Sequence, residues 1–306
     1  MTLKNLTIIG GSGFVGKSIV DSFNNGTIEK FKIKKINIIC RKPSKIKKIK
    51  SLGLNKINII QGNICKIKKL PKSDVVIYAA ESSNTQNYKN NNNFVGNHKK
   101  AVKNFCNIIK KMKRIKVLYV SSGAVYRNKI SNSDLKKFKH TYSDLKIYTE
   151  NQIRKLGNFK IKTSIARCFS FVGPRLLDYD HYAIGSFIND GLNKKFIKVK
   201  AKQYVVRSYM YSDDLAYWLI KIADKSNIKC PVYNVGSDQP VELGELAKII
   251  GKIFDKPVLI KRKNKKVDKY VPNIGKAKKN LNLRINFNLM QSIYYTIGNH
   301  LNEKII

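Results

Sequence analysis

The stretch Leu6-Thr7-Ile8-Ile9-Gly10-Gly11-Ser12-Gly13-Phe14-Val15-Gly16 decides the fold. Its first four residues are apolar or β-branched, as a strand buried on both faces requires. Gly10, Gly13 and Gly16 follow at once, at GxxGxxG spacing. Glycine lets a backbone turn tightly and lie close to a pyrophosphate. The helix that opens behind such a turn offers free N–H groups and the positive end of its dipole. Strand, glycine turn and helix together predict a dinucleotide loop, with Phe14 and Val15 as the helix's first core-facing turn.

The same residues also spell a triphosphate-loop pattern: Gly11, four residues, then Gly16-Lys17-Ser18. Two features weigh against it. Phe14 and Val15 are bulky where a loop wrapped around a triphosphate needs small or polar residues. No predicted strand ends in an aspartate that could hold magnesium.

Working outward, apolar runs at 6–9, 36–40, 57–60, 75–79 and 117–120 predict buried strands. Helical patterns lie between them, clearest over 101–112, and again from Tyr142 to a stop at Gly157. Strand–helix repetition implies right-handed crossovers, a parallel sheet and helices on both faces. The expected fold is α/β, doubly wound. After residue 167 the pattern loosens into Gly, Pro, Asp and aromatic residues. A helix over 215–223 capped by Asp213 or Asp214, and another over Leu243–Phe254, complete a smaller C-terminal part.

Composition bounds the rest. The 306 residues are 42% hydrophobic and 26% charged, enough for a full core. Net charge is +42, but Arg supplies only 9 of the 61 basic residues and Lys is spread through nearly every segment. That distribution argues for a solvated lysine surface and against a specific nucleic-acid partner, for which the planar guanidinium is favoured. Five separated cysteines and four scattered histidines show neither a CxxC nor metal-ligand spacing, so no metal is expected. No apolar run approaches the ~20 residues of a membrane span. The N-terminus enters a strand directly, without the apolar core of a signal peptide. The expectation is a soluble cytoplasmic protein.

Two constellations carry chemistry. Tyr142 and Lys146 stand four apart on one helix face, where an ammonium stabilises a phenolate and makes it a usable general base or acid. Strand 117–120 runs into Ser121-Ser122, a hydroxyl at the strand end where open α/β sheets take ligands. After the second strand the chain reads Cys40-Arg41-Lys42, with no carboxylate for a ribose 2′-hydroxyl. Arg41 suits a 2′-phosphate, so NADP is favoured over NAD.

These motifs, in this order, resemble the extended short-chain dehydrogenases/reductases of the NAD-dependent epimerase/dehydratase family, which act on nucleotide-diphosphate sugars. The resemblance implies a Rossmann-like dinucleotide domain over 1–167, returning near 207–236. It further implies a substrate-binding lid from 168–206 and 237–306. Gly10, Gly13, Phe14, Val15 and Gly16 match the cofactor loop. Gly62-Asn63-Ile64 is similar to a Gly-Asp-Ile/Leu whose side chain meets the adenine; Asn63 lacks the charge. Ala79-Ala80 resembles the pair lining the cofactor, and residues 93–96 the opening of the next helix. Ser122, Tyr142 and Lys146 match the catalytic residues, with Ser122 also contacting the substrate and Tyr142 and Lys146 also the cofactor, and Glu150 completes a YxxxKxxxE pattern. Arg167 and Gly173-Pro174 resemble the passage into the lid. Arg207 matches a substrate-diphosphate arginine, Ser170 stands where many 4-epimerases have Asn, and Tyr233-Asn234-Val235-Gly236 resembles a late strand.

The resemblance also implies the reaction. Sugar 4,6-dehydratases carry an acidic pair after the catalytic Ser/Thr; here Gly123 and Ala124 stand there. An epimerase or 4-ketoreductase is expected, with a dehydratase or a non-catalytic NADP-binding regulator as alternatives. A homodimer through helices 101–112 and 142–156 is the expected assembly, opposed by the high net charge.

Overall fold

The structure is a computed structural model, and it describes residues 3–47, 56–80, 92–129, 142–178, 182–262 and 264–305. The chain divides into two units, described separately below. One comprises residues 1–168 and 216–234, the other 169–215 and 235–306.

The first unit is built on β1 (Asn5–Ile9), β2 (Lys35–Cys40), β3 (Ile57–Gln61), β4 (Val75–Tyr78), β5 (Ile115–Ser122) and β6 (Ile161–Cys168). They pair in parallel in the order β6-β5-β4-β1-β2-β3, with the return strand Val232–Val235 beside β6. The order reverses between β4 and β1, which makes the carboxyl end of β1 the switch point where such sheets bind ligands. All four residues of β4 are buried, and so are the last four of β1. Sequence runs without polar alternation fold this way because helices cover both faces.

A polar row crosses this apolar sheet at one register level. Thr7, Asn37 and Asn58 are partners on β1, β2 and β3. The Asn58 amide donates to Asn37 at 3.3 Å, the Asn37 amide to Thr7 at 3.4 Å, and Thr7 shares a 2.6 Å hydrogen bond with Ser73. A one-residue slip of β1 or β2 would leave the buried Thr7 and Asn37 unpaired, so the row specifies register.

The helix Asn92–Lys110 starts ahead of the apolar periodicity over 101–112; in its first turn Val95 is buried and packs with Leu145. It packs Val102, Phe105 and Ile109 against β4 and β5, with the rings of Phe105 and Tyr78 4.5 Å apart. The helix Tyr142–Arg154 also packs on this core through Ile153. Trp218, the single tryptophan, is fully buried in this unit.

In the second unit, strand Tyr204–Arg207 pairs with Val241–Glu242 and Val267–Tyr270. The helix Leu243–Phe254 has the range read from the sequence and is capped by the Glu242 carboxylate, which accepts from the Gly244 N–H at 2.7 Å. The preceding helix differs from expectation. It begins at Ser212, so Asp213 and Asp214 lie in its first turn and neither caps it. Buried Asp214 instead accepts from the Asn286 N–H at 2.9 Å, the Asn286 amide at 2.6 Å and the Phe287 N–H at 3.2 Å. Burial pushes its carboxyl up from the ordinary value, and these three bonds pull it back.

Candidate active site

At the switch point the Gly10 N–H donates to the Ile39 carbonyl at 2.9 Å and the chain turns with φ of +87°. A Cβ on Gly10 would fall 2.5 Å from the Ala80 Cα and 2.6 Å from the Ala79 carbonyl. Glycine is thus required twice, by conformation and by the Ala79-Ala80 backbone. A Cβ on Gly16 would strike the Gly11 backbone, which fixes how closely α1 (Phe14–Asn24) approaches the turn.

Gly13 is different. It caps α1 at an ordinary φ of −85°, and a Cβ there would meet nothing closer than the Gly10 carbonyl at 3.5 Å. Nothing inside the protein demands glycine at this position. A bare backbone at a helix N-terminus leaves room for a ligand lying against it, which is the fit a dinucleotide pyrophosphate needs.

Phe14 and Val15 are half-buried and do not form the core-facing turn expected of them; the buried face of α1 begins at Gly16 and runs through Ile19 and Val20. The triphosphate-loop pattern dissolves in the same helix. The Ser18 hydroxyl donates to the Phe14 carbonyl at 2.9 Å, an ordinary bond within the helix.

The ends of β2 and β3 lie side by side next to this turn. Cys40 pairs in register with Gln61, and the Gly62 N–H donates to the Cys40 carbonyl at 3.0 Å. Arg41 is exposed just past β2. Asn63 closes a turn in which its side-chain oxygen accepts from the Cys65 N–H at 3.0 Å. Ile64 turns inward and joins the core with Ile39.

Tyr142 opens its helix half-buried against Phe94, Val95 and Leu145. Lys146, one turn on, is only 5% exposed. Its ammonium donates to the Val120 carbonyl at 3.1 Å and lies 5.5 Å from the Tyr142 ring centre and 5.3 Å from that of Tyr119. A buried ammonium needs such partners, a carbonyl and two aromatic rings. Two residues beyond Val120, Ser122 ends β5 and its hydroxyl accepts from the Ala124 N–H at 3.2 Å. Cys168, register partner of Ser122, is fully buried; burial pushes its thiol up to about 12, while the Lys146 charge pulls the other way.

Glu150, two turns beyond Tyr142, is buried and makes the densest polar contact of this unit's described residues. It accepts from the Ser121 hydroxyl at 2.7 Å and from Arg167 at 2.9 and 2.7 Å, and its second oxygen lies 3.6 Å from Arg154. The bidentate bond to Glu150 raises the already high Arg167 pKa, against the effect of burial. The Arg167 guanidinium lies 4.8 Å from the Tyr126 ring centre, and the Tyr126 hydroxyl donates to the Asn234 side chain at 2.9 Å. Sequence reasoning found Glu150 and Arg167 only as letters of a pattern and gave Ser121, Tyr126 and Asn234 no role. The one available signal was the scarcity of arginine.

Ser170 and Arg207 belong to the second unit. The Ser170 carbonyl accepts from the Met210 N–H at 3.1 Å. Arg207 donates to the Val206 and Asp268 carbonyls, both at 2.9 Å, and to the Asp268 carboxylate at 2.7 Å. Its guanidinium is therefore held in place by β-strand neighbours. Among the described residues no group of three or more His, Cys, Asp or Glu side chains could hold a metal, and no helix is long and apolar enough to cross a membrane. His140 and His181 lie outside the described residues.

Residues 6–236, from β1 through the return strand, match the model of the NAD dependent epimerase/dehydratase family. The chain belongs to that family. A curated relative, UDP-glucuronic acid decarboxylase 1 of Arabidopsis thaliana, is 25% identical over 146 residues, 47% of this chain and 33% of that protein. The chain thus spans about a third of the length of that relative. Among solved structures, WbmF of Bordetella bronchiseptica in complex with NAD+ and UDP has a TM-score of 0.79 at 17% identity, covering 99% of this chain and 94% of that one. The UDP-glucose 4-epimerase of Thermotoga maritima with UDP-glucose has a TM-score of 0.78 at 17% identity, covering 99% and 100%. At such identities the likeness to the solved structures is one of fold, the Rossmann-like α/β architecture of the family.

Proposed function

We propose that the chain is an NAD(P)-dependent enzyme that moves a hydride at C4 of a nucleotide-diphosphate sugar, as an epimerase or 4-ketoreductase. The observation that carries this reading is the Lys146 ammonium, buried beside the Tyr142 ring and bound to β5 two residues before Ser122. The UDP and UDP-glucose of the similar solved structures support a nucleotide-sugar substrate.

In this mechanism the turn at Gly10, Gly13 and Gly16 would hold the pyrophosphate, with Ala79 and Ala80 lining the cofactor. The Asn63 side chain would meet the adenine, Ile64 contributing through its backbone because its side chain lies in the core, and Arg41 would meet the 2′ position of the ribose, which favours NADP over NAD. The bound dinucleotide supplies a hydride acceptor that can return the hydride. Tyr142 takes the proton of the sugar hydroxyl as its carbon becomes a ketone, and gives a proton back on reduction. Ser122 donates a hydrogen bond to the same oxygen. Lys146, whose ammonium stands beside the Tyr142 ring, would hold the nicotinamide ribose. By the family resemblance, Ser170 and Arg207 are the residues expected to contact substrate, Arg207 its diphosphate.

Water elimination is disfavoured because Gly123 and Ala124, which wind into the turn behind Ser122, carry no group that moves a proton. The curated relative favours a second reading. Oxidation at C4 of a sugar bearing a C6 carboxylate gives a β-keto acid, which loses carbon dioxide without an acidic pair.

The test is titration with NADH and NADPH by fluorescence, followed by a panel of nucleotide sugars and their 4-keto forms. Epimerised or reduced sugar supports the main reading, and carbon dioxide release the second. Tight dinucleotide binding with no turnover on the panel would make the chain a regulator on this fold.

A further inference from the structure

We infer that Glu150 is a positioning residue that sets the catalytic helix and the serine strand in register with one another; the catalytic part of this inference rests on the function proposed above. The geometry begins with strand alternation. Ser121 and Ser122 point to opposite faces of β5, so fixing one fixes the direction of the other. The Glu150 carboxylate fixes Ser121 through a 2.7 Å hydrogen bond. It also holds Arg167, the register partner of Ser121 on β6, through both of its oxygens. One carboxylate therefore joins the Tyr142 helix to two adjacent strands, at the level of the residue before Ser122.

The connection continues outward. Arg167 lies against the ring of Tyr126, in the turn Gly123–Lys129 that follows Ser122. The Tyr126 hydroxyl bonds Asn234 on the return strand. Helix, serine strand, following turn, β6 and return strand are tied by one chain of charge-assisted and hydroxyl bonds. Such bonds are short and directional, and planar guanidinium–carboxylate pairing adds a geometric constraint that apolar packing does not supply. Lys146 and Glu150 act at successive levels of the same helix, Lys146 on the Val120 carbonyl and Glu150 on the Ser121 hydroxyl. Neither Glu150 nor Ser121 takes part in hydride or proton transfer; they hold the groups that do.

The experiment compares Glu150→Gln, Ser121→Ala, Ser121→Thr and Phe105→Leu in the full chain. Phe105 is a fully buried core residue outside the network, and its replacement controls for loss of stability alone. Glu150→Gln is expected to lower kcat on the order of 10- to 100-fold with KM changed by less than about threefold, the signature of disturbed geometry rather than lost binding. Ser121→Ala falls in the same direction by a smaller factor, and Ser121→Thr, which restores the hydroxyl, recovers kcat. Phe105→Leu lowers Tm with kcat held.

A second readout needs no substrate. Hydrogen exchange of the amides at residues 121–124 rises in Glu150→Gln and stays at the wild-type level in Phe105→Leu. Unchanged exchange in folded Glu150→Gln, or the same rise in Phe105→Leu, overturns the inference. An enzyme inactive on every sugar tried overturns the proposed reaction instead, and the exchange result then decides the positioning role alone.

Discussion

The Lys146 ammonium stands 5.5 Å from the centre of the Tyr142 ring, with a hydrogen bond committed to the Val120 carbonyl. This arrangement fixes a positive charge beside a phenol at the mouth of a parallel sheet. Tyr142→Phe removes only the hydroxyl and leaves the packing with Phe94, Val95 and Leu145 intact. It is expected to lower turnover by about 10²- to 10⁴-fold, the usual worth of a positioned acid/base. Dinucleotide affinity, measured by fluorescence titration, stays close to wild type. Turnover within a small factor of wild type would remove Tyr142 from the reaction.

The three glycines Gly10, Gly13 and Gly26 separate conformation, steric contact and ligand approach. Gly26 has a φ of +86°, but a Cβ there would meet only the Glu29 carboxylate at 4.0 Å. Gly26→Ala is therefore expected to cost about 1–2 kcal/mol from backbone strain alone. Gly10→Ala adds the collision with the Ala79-Ala80 backbone, so its loss is larger and dinucleotide binding goes with it. Gly13→Ala keeps the wild-type stability yet binds the dinucleotide more weakly, because the new methyl occupies the space beside the helix N-terminus. Denaturation followed by the fluorescence of buried Trp218, paired with cofactor titration, measures all three. Unaltered cofactor affinity in Gly13→Ala would exclude that backbone as the pyrophosphate cradle.

What the sequence made legible follows physical range. The central strands are legible because they are buried on both faces and read as nearly continuous apolar runs, as in Val75–Tyr78. The Gly10 turn and the Tyr142–Lys146 pair are legible because their geometry is local. Asp214 was misread as a cap because its partners, Asn286 and Phe287, lie 72 and 73 residues away and belong to a loop with no pattern of its own. The Glu150 network escaped for the same reason: Ser121 is 29 residues from Glu150, and Tyr126 is 108 from Asn234. Half-burial of Phe14 and Val15 was equally out of reach, since bulk in a sequence does not say which side of a helix has neighbours.

Arg41 is exposed immediately past β2, where a ribose 2′-hydroxyl or 2′-phosphate is read in this type of fold. An arginine there favours the phosphate through charge and a bidentate fork. Wild type is expected to bind NADPH more tightly than NADH, and Arg41→Ser to lower NADPH affinity by about tenfold or more with NADH affinity little changed, roughly the worth of one charge-assisted contact. Raising the salt concentration narrows the wild-type preference, since the side chain is exposed. Equal affinities for the two dinucleotides in wild type would assign Arg41 to the general lysine-rich surface field.

The cysteines give a pH dependence with a defined sign. Cys40, Cys106, Cys168 and Cys230 are buried, and only Cys65 is partly accessible. Burial pushes the Cys106 thiol up to about 11 and the Cys168 thiol up to about 12, from an ordinary 9.0. The folded state therefore holds these protons at pH values where the unfolded chain has released them. Stability is fully present below 9.0 and falls as pH rises from there toward the folded values. For Cys168 alone the loss reaches about 1 kcal/mol by roughly pH 10. Cys168→Ala removes that share, so its urea midpoint declines less between about pH 8 and 10 than the wild-type midpoint, although the variant is less stable at the lower pH because of the cavity. A thiol reagent at neutral pH should titrate one cysteine rapidly in the folded protein and all five after denaturation. Parallel midpoint curves for wild type and Cys168→Ala, or rapid labelling of more than one thiol in the folded protein, would contradict the burial on which this sign depends.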